Sequence, residues 1–160
     1  TSATQTVRGY TIGINPTDTT ADCRVEDIMW TVTNSGCGNI AQVAITVPPG
    51  WTLSGDAYAV VTNTVGAEVD SWTTVAGTTF VAPTAGDRIP NNDSFGNFSL
   101  LFSGTPAGTG PSVFTVTITD DSTPTPVIKS MPATITVNPY NSAPGGPNRT
   151  AAEIWQEVVR

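Results

Sequence analysis

Residues 98–120 set the tightest limit on what this chain can become. They read Phe98-Ser-Leu-Leu-Phe-Ser-Gly-Thr-Pro-Ala-Gly-Thr-Gly-Pro-Ser-Val-Phe-Thr-Val-Thr-Ile-Thr-Asp120. Two alternating runs flank a Gly/Pro turn. In the second run Phe114, Val116 and Ile118 share one side, and Thr115, Thr117 and Thr119 the other. A period of two with a hydroxylated second face is the pattern of a half-buried antiparallel hairpin.

The same grammar recurs along the chain. Strands are predicted at 6–14, 27–33, 40–47, 57–63, 68–75, 79–82, 98–103, 113–119 and 132–137, about nine in all, with the spacing of a sandwich or barrel. Turn chemistry separates them: Asn15-Pro16, Asn34-Ser-Gly36, Pro48-Pro-Gly50, Asn91-Asn92-Asp93 and Gly104 to Pro111. No long helical pattern intervenes, which excludes parallel βαβ units. The expected fold class is all-β: an Ig-like antiparallel β-sandwich of about 7–9 strands over residues 1–138.

Charge removes several partners. The 160 residues carry a net charge of −7 and one lysine, Lys129. No basic patch exists to neutralise phosphates, so nucleic acid is excluded as a partner. No apolar run approaches the roughly 20 residues of a membrane span. Threonine makes up roughly one residue in six, a strand-compatible choice. Scarce lysine, abundant Thr and Gly, and two cysteines all suit an extracellular or cell-surface location. A first residue that is Thr rather than Met fits a mature chain after signal-peptide removal, or one trimmed in another way.

Cys23 and Cys37 would close a loop of about 15 residues, worth roughly 3 kcal/mol if oxidised. An intervening strand over 28–33 spans roughly 20 Å, so the flanking segments must fold back before the two sulfurs can meet. Three readings stay open: an intrachain disulfide, a bridge between subunits, and two thiols. Zinc is disfavoured, because histidine is absent and only two cysteines are present.

Both ends offer self-association candidates. The arm 1–14, with Tyr10 and Ile12, reads either as an ordinary edge strand or as one exchanged with a neighbour by β-augmentation. Residues 139–149 read as a Pro/Gly linker. Thr150-Ala-Ala-Glu153 is then a capping box, and Ala151, Ile154, Trp155 and Val158 form the stripe of a short amphipathic helix over 150–160. A helix of about ten residues is marginal alone, so it must dock in cis or in trans.

Two segments resemble known modules. Thr31-Val-Thr-Asn-Ser-Gly36 followed by Asn39-Ile-Ala-Gln-Val-Ala-Ile-Thr-Val-Pro-Pro-Gly-Trp51 resembles the Ig-like repeats of secreted bacterial and archaeal surface proteins, of the cell-adhesion-related type. Phe102-Ser-Gly-Thr-Pro106 with Phe114-Thr-Val-Thr-Ile-Thr-Asp120 resembles the hairpin of bacterial Ig modules. Together they touch under half of the chain. The resemblance implies a sandwich and a surface location, and it brings no catalytic residues.

Chemistry is thin. Without histidine, the commonest general base and the usual triads are missing. The carboxylates sit mainly in turns, where Asx geometry explains them. Calcium is a minor alternative, with Asp87, Asp93, Asp120 and Asp121 as candidate ligands; no other cofactor is expected. Asn92, Asn97 and Asn148 begin glycosylation sequons. Trp30 reads as core. Trp51, Trp72 and Tyr58 could alternatively form an exposed platform for sugars. The expectation is therefore a non-catalytic extracellular structural module that self-associates into a surface filament, surface layer or adhesin, its partners being itself or neighbouring domains. The alternative is a carbohydrate-binding or accessory module of a secreted enzyme.

Overall fold

A computed structural model describes residues 2–7, 9–21 and 26–139. Within these described residues twelve strands build two facing six-stranded sheets. The first sheet contains β1 (Ala3–Val7), β2 (Tyr10–Asn15), β4 (Glu26–Asn34), β6 (Thr52–Thr62), β7 (Glu68–Val69) and β10 (Ser94–Gly104), in the order β1-β2-β4-β10-β6-β7. The second contains β3 (Asp18–Thr20), β5 (Ile40–Thr46), β8 (Thr73–Val75), β9 (Thr79–Val81), β11 (Gly110–Asp120) and β12 (Ile128–Asn138), in the order β3-β12-β11-β5-β9-β8. Every pairing is antiparallel except β3 with β12. The all-β sandwich expected from the alternation is present.

Alternation puts one side of each long strand inside. Ile28, Trp30 and Val32 of β4 and Phe98, Leu100 and Phe102 of β10 meet Phe114, Val116 and Ile118 of β11 and Met131, Ala133, Ile135 and Val137 of β12, all buried. Each such side chain contributes about 1.5–3 kcal/mol through removal from water. Aromatic rings join the layers. Phe114 lies 5.4 Å from Trp30, 5.0 Å from Trp51 and 5.9 Å from Phe102, while Phe98 lies 5.1 Å from Phe80 and 5.3 Å from Trp72. These tilted and edge-on contacts are the favoured geometry for aromatic pairs.

Several expectations need correction. The arm read as one strand over 6–14 is two strands, β1 and β2, paired with each other and then with β4 of the same chain. Gly9 at the reversal has φ +87, and a Cβ there would stand 2.7 Å from Gly36 Cα. Tyr10 and Ile12 therefore face their own core, 2% and 1% exposed, and offer a partner no surface. Trp51 and Trp72 are buried too, packed on Phe102, Phe114 and Phe98, so no tryptophan platform forms. Tyr58 alone of the three platform candidates is exposed. Cys37 carries a free, exposed thiol, so the structure gives the expected disulfide no support; Cys23 lies outside the described residues. So do the linker beyond Pro139, Asn148 and the proposed helix with Ile154, Trp155 and Val158. No helix among the described residues is long and apolar enough to cross a membrane.

Candidate functional sites

Polar side chains gather at one end of the sandwich, where the loops 35–39, 88–93 and 121–127 meet. The inward phase of β11 runs Phe114, Val116, Ile118 and then Asp120; that of β4 runs Ile28, Trp30, Val32 and then Asn34. The last member of each row is polar and buried, at 2% and 0% exposure. Burial of such groups is tolerable only when they are hydrogen-bonded, and both are saturated. Asn34 Nδ2 donates to the carbonyls of Gly38 and Ile89, each at 2.8 Å, and its Oδ1 accepts from Gly36 N at 3.0 Å. Asp120 accepts from Tyr10 Oη at 2.6 Å, Val127 N at 2.7 Å, and Ser122 N and Oγ at 3.0 Å each.

Glycines allow this closure. A Cβ on Gly36 would meet the Tyr10 ring at 2.9 Å, and one on Gly38 would meet Ser122 Oγ at 2.7 Å. Desolvation pushes the Asp120 carboxyl upward, but the bonds from Tyr10, Val127 and Ser122 outweigh it and hold the group below its ordinary value. Burial, then the bond to Asp120 and its charge, raise Tyr10 well above the usual phenol range. A general acid or base needs a pKa near the working pH and a lone pair or proton to offer. Asp120 has neither, so this cluster acts as a structural lock. A pocket of about 190 Å³ beside it is bordered by Tyr10, Cys37, Asp120, Val127 and Lys129.

The calcium candidates are engaged in the protein's own hydrogen bonds. Asp87 accepts from Thr84 Oγ1 at 2.6 Å, Asp93 from Ser35 Oγ, and Asp121 from Asn39 N and Arg88 Nη1 at 2.8 and 3.0 Å. Among the described residues no three metal-ligating side chains converge. The sequon residue Asn92 is exposed and accepts from Ser94 Oγ; Asn97 is half-buried, its Oδ1 accepting from Thr31 Oγ1 at 2.7 Å.

The outer face of the first sheet is different in kind. Its rows run Thr4–Gly13–Thr31–Asn97–Val60, Asn15–Met29–Ser99–Tyr58, and Thr11–Thr33–Phe95. None of these residues is a carboxylate or a cation. A groove of about 340 Å³ crosses β1, β2 and β4, lined by Ser2, Thr4, Thr11, Gly13, Ile14, Asn15, Met29, Thr31 and Thr33. Beyond it Phe95 and Tyr58 are 47% and 56% exposed. The sheet edge is also open: β7 pairs with Val61 and Thr62 only, of the 11 residues in β6. Composition did not single out this face; the phase opposite to each core row carried the signal.

No known protein family matches the sequence, and no curated protein matches it. Solved structures match its fold. The major pilin subunit BcpA of Bacillus cereus is 11% identical with a TM-score of 0.54, over 86% of this chain and 40% of that one. This chain thus spans less than half of that subunit. The collagen-binding domain from a Staphylococcus aureus adhesin is 15% identical, with a TM-score of 0.46 over 82% of this chain and 99% of that one. The collagen-binding subdomain of the Enterococcus faecalis surface protein ACE is 10% identical, with a TM-score of 0.45 over 74% and 92%. At these identities the likeness is one of fold.

Proposed function

We propose that this chain is a non-catalytic extracellular module that associates with copies of itself to build a surface filament, surface layer or adhesin. The observation that carries this reading is the open edge of β6. Over residues 52–60 no described strand pairs with that side of β6; Asp56 and the left-handed Gly55 interrupt its first half, and Ala57-Tyr-Ala-Val60 carries no charge or proline. Uncharged, unpaired strand edges are templates for another strand. Of the other edges, β8 has three residues and β7 has two, while β1 at the far side of the same sheet has five. The lock around Asp120 supports the same reading, since the most deeply buried carboxylate among the described residues serves architecture. A fold shared with a pilin subunit is in keeping with it.

Sedimentation velocity and electron microscopy of the full chain test the proposal. The expected result is a concentration-dependent larger species that Tyr58→Lys, a gatekeeper charge beside the edge, disperses while the circular-dichroism spectrum stays unchanged. A monomer at every concentration refutes it.

A further inference from the structure

Three uncharged rows cross the outer face of the first sheet, with Asp27 and Glu68 lying beyond them on the same face, and they have features that self-association does not call on. Gly13 forms the floor of its groove. The glycine is not sterically required: an added Cβ would meet Ala3 O at 3.6 Å, Thr31 Cβ at 3.8 Å and Thr31 O at 4.0 Å, ordinary contacts, and its φ lies outside the left-handed region. Alanine would fit there and would stiffen the strand. Glycine at this position leaves the groove one methyl deeper than alanine would.

Ser99 is a polar neighbour of the groove. It belongs to the outer face by alternation between the core residues Phe98 and Leu100, in register with Met29 and Tyr58. It is 1% exposed, and its hydroxyl has no hydrogen-bond partner. A buried hydroxyl left so costs about 1–3 kcal/mol; Ser99 lies beneath the face and outside the groove lining, where a single buried water would supply the partner.

The chemistry of the face selects the ligand. With no cation in these rows and a chain charge of −7, an anion is repelled; with no carboxylate in the groove lining, a cation finds no direct ligand there. What remains is neutral. Threonine hydroxyls give donors and acceptors together. Asn97 Oδ1 is held by Thr31, which leaves its N–H groups to donate elsewhere. Phe95, the cross-strand neighbour of the groove residue Thr33, exposes a flat apolar ring. Hydroxyl-rich edges beside apolar ring faces are the surface of a sugar.

We propose that this face binds an uncharged oligosaccharide, with Gly13 as its floor, the threonines and Asn97 as its polar contacts and Phe95 as its stacking ring. The site does not depend on association between copies.

Amide-resolved NMR titration of the full chain with the hexasaccharides of cellulose, starch, xylan and chitin is the test, with hexagalacturonate and a Pro/Gly-rich triple-helical peptide as comparators. At least one neutral sugar at millimolar concentration is expected to shift Gly13, Thr31, Phe95 and Asn97, while hexagalacturonate shifts none of them. Phe95→Ala and Gly13→Ala, both compatible with the fold, are expected to weaken binding about tenfold. Silence towards all four neutral sugars overturns the proposal. So does a face that answers only to the peptide, or shifts that persist undiminished in both variants.

Discussion

The bond between Tyr10 and Asp120 spans 110 positions of sequence and ties β2 of the first sheet to β11 of the second. Removing it has a size that can be worked out from its partners. Tyr10→Phe deletes one short bond to an ionised acceptor inside the protein, worth about 1.5–3 kcal/mol. Asp120 keeps its other three donors, which places the loss near the lower end, about 1.5–2 kcal/mol. Asp120→Asn keeps the oxygen facing Val127 N and Ser122 N but turns an NH2 towards Tyr10 Oη and Ser122 Oγ. Its cost is about 2–4 kcal/mol. The double variant should recover about 1–2 kcal/mol relative to the sum, since both changes break the same bond.

Urea unfolding of the four proteins at neutral pH measures this, with the slope m unchanged. The pH dependence adds a second arm. A carboxyl held below its ordinary value of 3.8 gives stability that is present above that value and lost as pH falls through the lower native value. The gap between the parent protein and Asp120→Asn should therefore close in acid. A phenol raised above 10.0 works in the opposite sense, so stability is lost as pH rises past 10.0 in the parent and kept in Tyr10→Phe. Strict additivity of the two single effects, or a gap that stays constant from neutral pH to acid, refutes the lock.

Phe114→Ala should cost about 3–5 kcal/mol in the same unfolding assay, because three aromatic neighbours lose their contact at once. Gly96→Ala should cost about 1–3 kcal/mol by overpacking, since its Cβ would lie 2.6 Å from Val61 Cγ1 and 3.0 Å from Ile89 Cδ1. Cys37 should take up a maleimide in the native protein without reductant, read by mass spectrometry; protection lifted only by reductant would mean a bridge. Burial, with the charges of Asp18 and Asp27, raises Glu26 against an opposing bond from Thr19. Its contribution is lost as pH rises past 4.5, so Glu26→Gln should raise the melting temperature at neutral pH and not in acid.

The layered β fold was legible because period two is a local signal. β4, β10, β11 and β12 announce themselves in the order of their own residues. Boundaries were harder. The break in phase between Val7 and Tyr10 marks a reversal, yet it reads equally as a flawed single strand. Trp51 and Trp72 lie outside long alternating runs, so nothing local decides whether they enter the core; distant partners, Phe114 and Phe98, decide it. The lock was half-visible. Asp120 and Asn34 stand in step with apolar rows, which marks them as inward-facing, but distant partners complete them: Tyr10 Oη donates to Asp120 from 110 positions away, and Asn34 donates to the carbonyl of Ile89, 55 positions away. The groove depends on which strands become neighbours, and register across three strands is not written in any one of them.

The interior rings fall into two knots. One holds Trp30, Trp51, Phe102 and Phe114; the other holds Trp72, Phe80 and Phe98. Each contains an indole and draws on both layers, so each is a built-in optical gauge for its own half of the body. With Trp155 replaced by Phe, emission from Trp72 alone reports one half, and the remaining pair reports the other. Heating that bleaches the two signals at different temperatures would expose a seam between halves; simultaneous loss would mark one indivisible block.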